Sequence, residues 1–288
     1  MSLGRQRLLE LPFKDIEQTI TARDVILYAL GVGAGADPQD ERELCFVYEE
    51  KLRALPTMAA VLCSPGFSWY QDPRNGIDWK RMLHGEQSIE IYSPLPTSGV
   101  IVGRTHVTEV IDRGEGKGAL LTVERTLTDQ ASGGRLAKAA AVMFLRGNGG
   151  FGGPSGPVAA PHAMPERAPD LSITTATLPQ AALIYRLSGD LNPLHVDPKV
   201  ATAGGFTKPI LHGLCTFGVV GRALIEGACA FDPTRLRTMR ARFTSPTYPG
   251  ETIRTDIWAD GETVSFRAMA VERDVVVLNN GRATVGLN

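Results

Sequence analysis

The two halves of this chain resemble each other, and that weak internal repeat limits the fold more than any single motif does. In the first half Tyr28-Ala29-Leu30-Gly31 runs on to Asp37-Pro38; in the second, Tyr185-Arg186-Leu187-Ser188 runs on to Asp197-Pro198. Farther along, Ser93-Pro94-Leu95-Pro96, ending at Gly99, faces Ser245-Pro246-Thr247-Tyr248-Pro249-Gly250. Between the halves, residues 147–169 (GNGGFGGPSGPVAAPHAMPERAP) form the only long stretch dense in Gly and Pro, which reads as a linker. The expected division is an N-terminal repeat over 1–146, a linker over 147–169 and a C-terminal repeat over 170–288.

Each Ser-Pro turn opens a strand-rich tail. Val264, Phe266, Ala268 and Ala270 alternate with Ser265, Arg267 and Met269, the pattern of a half-buried strand. Strands near Thr252 to Trp258 and Val275 to Leu278 complete a meander. Val100 to Ile111, Gly118 to Leu127 and Leu136 to Leu145 read the same way in the first half. The stretch from His212 to Ile225 is apolar on nearly every side, so a helix there must be buried all round. A long buried helix followed by an antiparallel meander describes a helix wrapped by a curved sheet, and duplication would bring two such helices together. The predicted class is α+β: a double hotdog, two repeats each with a long central helix wrapped by an antiparallel sheet.

With 288 residues the chain is long enough for two domains of ordinary size. It is 43% hydrophobic and 21% charged with a net charge of -1, so no basic surplus points to nucleic acid or an anionic membrane. Cys45, Cys63, Cys215 and Cys229 form no CxxC pair, which argues against a zinc site or a disulfide framework and fits reduced thiols. The N-terminus lacks the order of a secretory signal. No apolar run of about 18 residues occurs, because Arg222 and Glu226 interrupt the longest candidate. The C-terminal Thr-Val-Gly-Leu-Asn is not a peroxisomal address. These readings place a soluble protein, with no membrane partner, in the cytoplasm.

The densest polar cluster is the segment from Tyr185 to Pro198, which sets Asp190, Asn192 and His195 within six residues. Gly189 and Pro193 keep it from being a regular helix, so an irregular loop can turn Asp190 and His195 toward one point. A carboxylate and an imidazole sharing one water make an acid/base pair near neutral pH. Turn formation alone also explains Asp, Asn and Pro here. The other repeat separates the two readings: its equivalent stretch, Gly31 to Pro38, keeps the flanks but lacks the Asp, Asn and His. A turn requirement would appear in both copies, whereas a catalytic requirement can appear in one. Next, Lys208-Pro209-Ile210-Leu211-His212-Gly213 leads into the apolar helix. The Gly213 N–H, unpaired at a helix start, suits a carbonyl oxygen becoming enolate-like. Close packing of two helices is the alternative reason for a glycine there, and His212 reads as a helix-start or core-edge residue.

The run from Tyr185 to His195, with Pro209 to Gly218 after it, closely resembles the signature of MaoC-like hydratases of the hydratase 2 type. It is similar to the second-hydratase domain of the peroxisomal multifunctional enzyme of β-oxidation. Arg81 to Gln87, Ser93 to Pro96, Gly149 to Gly153 and Arg242 to Pro246 also match. The resemblance implies a double hotdog whose C-terminal repeat is catalytic, while the N-terminal repeat makes room for longer or bulkier acyl chains. It implies Asp190 and His195 as the catalytic pair, Asn192 as their positioner, and the Gly213 N–H on the thioester oxygen. It also implies that His84, Gly85, Arg113, Leu191, Pro193, Leu194 and Phe243 touch acyl-CoA; Arg113 stands where relatives have lysine.

The expected reaction is reversible syn hydration of trans-2-enoyl-CoA to the (3R)-3-hydroxyacyl-CoA. Acyl-CoA is then the substrate, with no metal or redox cofactor, and the sheet edges leave room for a homodimer. Rival readings are dehydration on acyl carrier protein, a non-catalytic acyl-CoA binding protein, and a hotdog thioesterase using Glu226, the one acid on the long helix.

Overall fold

A computed structural model describes residues 3–286; Leu287 and Asn288, at the end of the C-terminal address reading, lie outside the described residues. Ten strands form one antiparallel sheet: β1 (Ile16–Ile20), β2 (Met82–Ile91), β3 (Gly99–Asp112), β4 (Ala119–Asp129), β5 (Arg135–Leu145), β6 (Leu171–Ala176), β7 (Leu236–Phe243), β8 (Thr252–Asp260), β9 (Thr263–Ala270) and β10 (Val275–Val285). Their order is β1-β3-β4-β5-β2-β7-β10-β9-β8-β6. Read from the β2/β7 seam outward, both halves follow the same sequence of connections. The repeat seen in the sequence is therefore a repeat of topology, and the two copies join through β2 and β7, from Glu86 opposite Arg242 to Glu90 opposite Thr238.

The helices that matter are α1 (Ala22–Gly31), α2 (Ala181–Tyr185) and α3 (Gly213–Cys229). Helix α1 packs against α2, and the repeat-related Tyr28 and Tyr185 place their ring centroids 5.9 Å apart. Helix α3 is the apolar segment expected to be buried: Cys215, Phe217, Val220, Ala223, Leu224 and Cys229 have no exposed surface. No helix among the described residues is long and apolar enough to cross a membrane.

The double-hotdog class holds, with one correction to its detail. Among the described residues the N-terminal repeat has no second long helix; the buried stretch from Ala54 to Cys63 occupies the corresponding concavity, with a 3-10 turn at Pro56–Ala60. Pro56 stands at the first position of that turn, where a helix start accepts proline, and Cys63 with φ of 52° turns the chain away before Pro65, so the stretch stays short. Helix α3 crosses this stretch closely. A Cβ on Gly221 would lie 2.3 Å from Thr57 Cγ2, and one on Gly218 would lie 2.5 Å from Val32 Cγ1. Small residues on this face let the backbones of the two repeats approach.

Arg222, which interrupts the apolar run, is a tie between the repeats. Its guanidinium donates to the carboxylate of Glu43, itself 2% exposed, and to Thr175 Oγ1 at 3.3 Å. The other Glu43 oxygen accepts from the Gly35 N–H at 2.8 Å. The start of the Gly-rich stretch is likewise held: Asp112 accepts from the N–H groups of Gly114, Gly150 and Gly152 at 2.9, 2.7 and 2.8 Å.

Candidate active site

The loop before α3 follows from its composition. Gly189 has φ of 123°, a conformation L side chains rarely adopt, so the helical turn ending at Ser188 stops there. Asp190 Oδ1 then accepts from the Asn192 N–H at 3.1 Å, and Asn192 Oδ1 accepts from the Leu194 N–H at 3.0 Å, starting the 3-10 turn Pro193–His195. The turn reading of Asp190 and Asn192 is thus correct in itself. Those local bonds also fix where the remaining carboxylate oxygen and the following imidazole point.

His195 is 8% exposed, and its Nδ1 donates to the Ile210 carbonyl at 2.9 Å. A carbonyl can only accept, so Nδ1 carries the proton and Nε2 keeps a bare lone pair. Burial lowers the His195 pKa, against the raising effects of that hydrogen bond and of Asp190, so the ring is neutral near pH 7. Its face stacks on His212 at 3.7 Å and 26°. His212, 1% exposed, caps the start of α3 and donates from Nε2 to the Asp190 backbone carbonyl at 3.1 Å. Burial, then the neighbouring His195, pushes His212 down to about 4.

Gly213 is the first residue of α3, whose start has no side-chain cap. Its N–H has no acceptor among the described residues. A Cβ at this position would lie 3.1 Å from Phe243 Cε1, so the close approach that favours glycine is to that ring rather than to a second helix. Phe243 in turn packs on His84, with centroids 4.7 Å apart. His84 sits at a bulge of β2, where the register against β5 shifts between His84 and Glu86 and Gly85 passes close to the Val142 carbonyl. Its Nε2 donates to the Glu86 carbonyl at 3.1 Å, and burial pushes its pKa down to about 4. Through Phe243, which lies against Gly213, His84 borders the same site.

The structure thus brings Asp190, His195, Gly213, Phe243 and His84 together, with Gly85 as the bulge that aims His84. Leu191 is 62% exposed, Pro193 is exposed and Leu194 is partly buried, so they form the rim of the loop. Arg113 is not part of the cluster. It is exposed just beyond Asp112, in the row Asp112, Ala119, Leu145, Met82, and so lies three strands from β2, about 14 Å away at usual strand spacing. His212 is the member whose place in the cluster sequence reasoning missed.

Ligand atoms of Asp190, His195 and His212 lie within 4.8 Å of one another, a set with metal-binding composition. The stacking of the imidazoles does not suit it. A metal in the plane of one ring would sit well out of the plane of the other. The arrangement fits a hydrogen-bonded water better. A cavity of about 480 Å³ lies elsewhere: Glu86, Lys138, His162, Arg240, Arg242 and Arg282 line it on the outer face of the seam. Arg240 and Arg242 alternate there with Met239 and Ala241, which face α3.

Comparison with known proteins agrees with this picture. A model described as "MaoC like domain" matches residues 159–281, and one described as "MFE-2 hydratase 2 N-terminal domain" matches residues 19–147. An Arabidopsis thaliana protein named "Enoyl-CoA hydratase 2, peroxisomal" is 38% identical over 294 residues, covering 94% of this chain and 92% of its own. The chain belongs to the MaoC-like family. The crystal structure of a MaoC-like dehydratase from Phytophthora capsici superposes with a TM-score of 0.85 at 37% identity, covering 98% of this chain and 99% of that one. A Mycobacterium tuberculosis protein described as having a double hotdog fold superposes with a TM-score of 0.55 at 16% identity, covering 93% of both chains. That second likeness concerns the fold alone.

Proposed function

We propose that this MaoC-like protein is an enoyl-CoA hydratase of the hydratase 2 type, converting trans-2-enoyl-CoA reversibly to (3R)-3-hydroxyacyl-CoA. The observation that carries the proposal is the clustering of Asp190 with the imidazoles of His195 and His212, within 4.8 Å of one another, at the start of the helix whose first N–H, that of Gly213, has no acceptor among the described residues. The name of the Arabidopsis relative supports the same reading.

In this reading the Gly213 N–H donates a hydrogen bond to the thioester oxygen and stabilises the negative charge that develops on it, which makes C3 electrophilic. One water lies between Asp190 and His195. Its oxygen bonds to C3 as His195 Nε2 takes its proton, and the π electrons move to C2 and the thioester carbonyl. The proton then passes from the Asp190–His195 pair to C2 on the same face. One O–H bond and one C–C π bond are broken, and one C–O and one C–H bond are made. Such positioned proton transfer contributes about 10² to 10⁴ in rate. It calls for no metal or redox group, and CoA enters as the substrate's carrier.

The same proposal assigns catalysis to residues 170–288 and acyl accommodation to residues 1–146. An acyl chain running beside α3 from Gly213 meets the Gly221–Thr57 crossing after eight residues of helix, about 12 Å. That length suits medium chains lying between the repeats, and a longer or bulkier chain would have to pass beside the crossing. The test is hydration of trans-2-decenoyl-CoA in deuterium oxide, with the configuration of the product read at C2 and C3. The proposal predicts an R alcohol with the deuterium added syn; an S alcohol or anti addition would overturn the geometry.

A further inference from the structure

The two halves of the site come from segments some twenty residues apart: Asp190 and His195 stand on the loop, and Gly213 opens α3. Two reciprocal hydrogen bonds join them. The loop's His195 donates to the Ile210 carbonyl at 2.9 Å, and His212 donates back to the Asp190 carbonyl at 3.1 Å. The two imidazoles stack between these bonds, and the Tyr185 ring lies against His212 with centroids 5.1 Å apart. Because its Nε2 donates to a carbonyl, His212 has a bare Nδ1, which is buried and has no partner among the described residues. Leaving a buried acceptor unpaired costs stability, so a structural cap alone is a poor reason for histidine here. Ser, Thr, Asp or Asn would cap the helix better.

We infer that His212 is a positioning residue, whose Nε2–H bond to the Asp190 backbone and stacking on His195 set the proton-transfer pair against the Gly213 N–H. This rests on the hydratase reading and names a residue it did not include. His212 does not touch the substrate. Its backbone continues directly into Gly213, so one residue fixes the distance from the loop to the helix start. Neutrality suits the role, since a cation stacked on His195 would oppose protonation of that ring; the titratable and charged groups around His212 are His195, Asp190, Tyr185 and Arg186.

The experiment compares His212→Phe, which keeps a stacking ring but loses the donor, with His212→Gln, whose amide nitrogen reaches about as far as Nε2. His212→Asn, too short to reach the Asp190 carbonyl, repeats the loss with a polar side chain. With trans-2-decenoyl-CoA, Phe and Asn lower kcat roughly 10- to 100-fold, as misplacement of about 1 Å does, while KM changes little. Gln restores most of the rate. Nitrogen NMR of the His195 ring shows a pure Nδ1–H tautomer in the wild type and in Gln, and a mixture in Phe and Asn. Unchanged kcat and tautomer in Phe, or Gln as impaired as Phe, would overturn the inference. If the wild type hydrates no enoyl thioester, the hydratase reading fails, and the tautomer measurement still decides whether His212 orders His195.

Discussion

Acidification from pH 7 to pH 5 tests the electrostatics of the candidate site as a whole. His84 and His212 are both held near 4 by burial, against 6.5 for an ordinary imidazole. A depressed folded-state pKa means that the unfolded chain binds protons first. The stability from keeping these rings neutral is complete above about 6.5 and is lost as pH falls from there toward 4. At pH 5 each ring is mostly protonated when unfolded and mostly neutral when folded, which costs about 2 kcal/mol per ring. The pair therefore removes about 4 kcal/mol, a large part of a usual domain stability of roughly 5–15 kcal/mol. His195 is shifted in the same direction and adds to the loss. Carboxylates such as Asp112 and Asp256, held below their ordinary 3.8, contribute only at lower pH, so the interval from 7 to 5 isolates the histidines. Urea unfolding at the two pH values measures the difference. His84→Gln and His212→Gln should each remove about half of the difference due to this pair, because glutamine does not titrate. Equal stability at pH 7 and pH 5, or a gain on acidification, would refute the reasoning.

Three further outcomes follow from named contacts. Gly221→Ala improves helix propensity by about 1 kcal/mol but drives a methyl into Thr57, at a cost of roughly 1–3 kcal/mol. The expected result is a lower Tm, recovered by adding Thr57→Ser; a higher Tm in the single variant would contradict the close crossing. Glu43→Gln leaves Arg222 buried without its carboxylate and should cost about 3 kcal/mol in denaturant unfolding, whereas an unchanged midpoint would show that the tie contributes nothing. Gly213→Ala keeps the N–H but sets a methyl 3.1 Å from Phe243 Cε1, where the thioester is proposed to lie. Its kcat/KM should fall roughly 10- to 100-fold with folding intact, and full activity would move the thioester elsewhere.

Much of this was readable before the fold. The repeat appears in the sheet order, the Asp190–His195 loop breaks at Gly189 and Pro193, and the apolar run after His212 is the buried helix. The seam strands β2 and β7 were harder to see. Arg240 and Arg242 on one strand both pair with Glu86 on the other, so charge rather than apolar alternation marks them. The repeat also misled in one place, where symmetry predicted a second long helix and Pro56 stands in a buried 3-10 turn. One further signal lay in the sequence and one did not. Arg222 inside an otherwise buried helix demands an acid partner, though only the fold shows that Glu43 of the other repeat supplies it. His212 shows its role only when the loop folds back on the helix start, since its partners Asp190 and His195 are 22 and 17 positions away in the chain.

The central claim is that Asp190 and His195 share one water beside the Gly213 N–H. The most direct measurement is loss of enoyl-thioester absorbance with trans-2-decenoyl-CoA, comparing the wild type with Asp190→Asn and His195→Ala at matched folded concentration. The account predicts rapid loss in the wild type and a fall of about 10² or more in each variant, with the unfolding transitions retained. Hydration at the wild-type rate in both variants would contradict it.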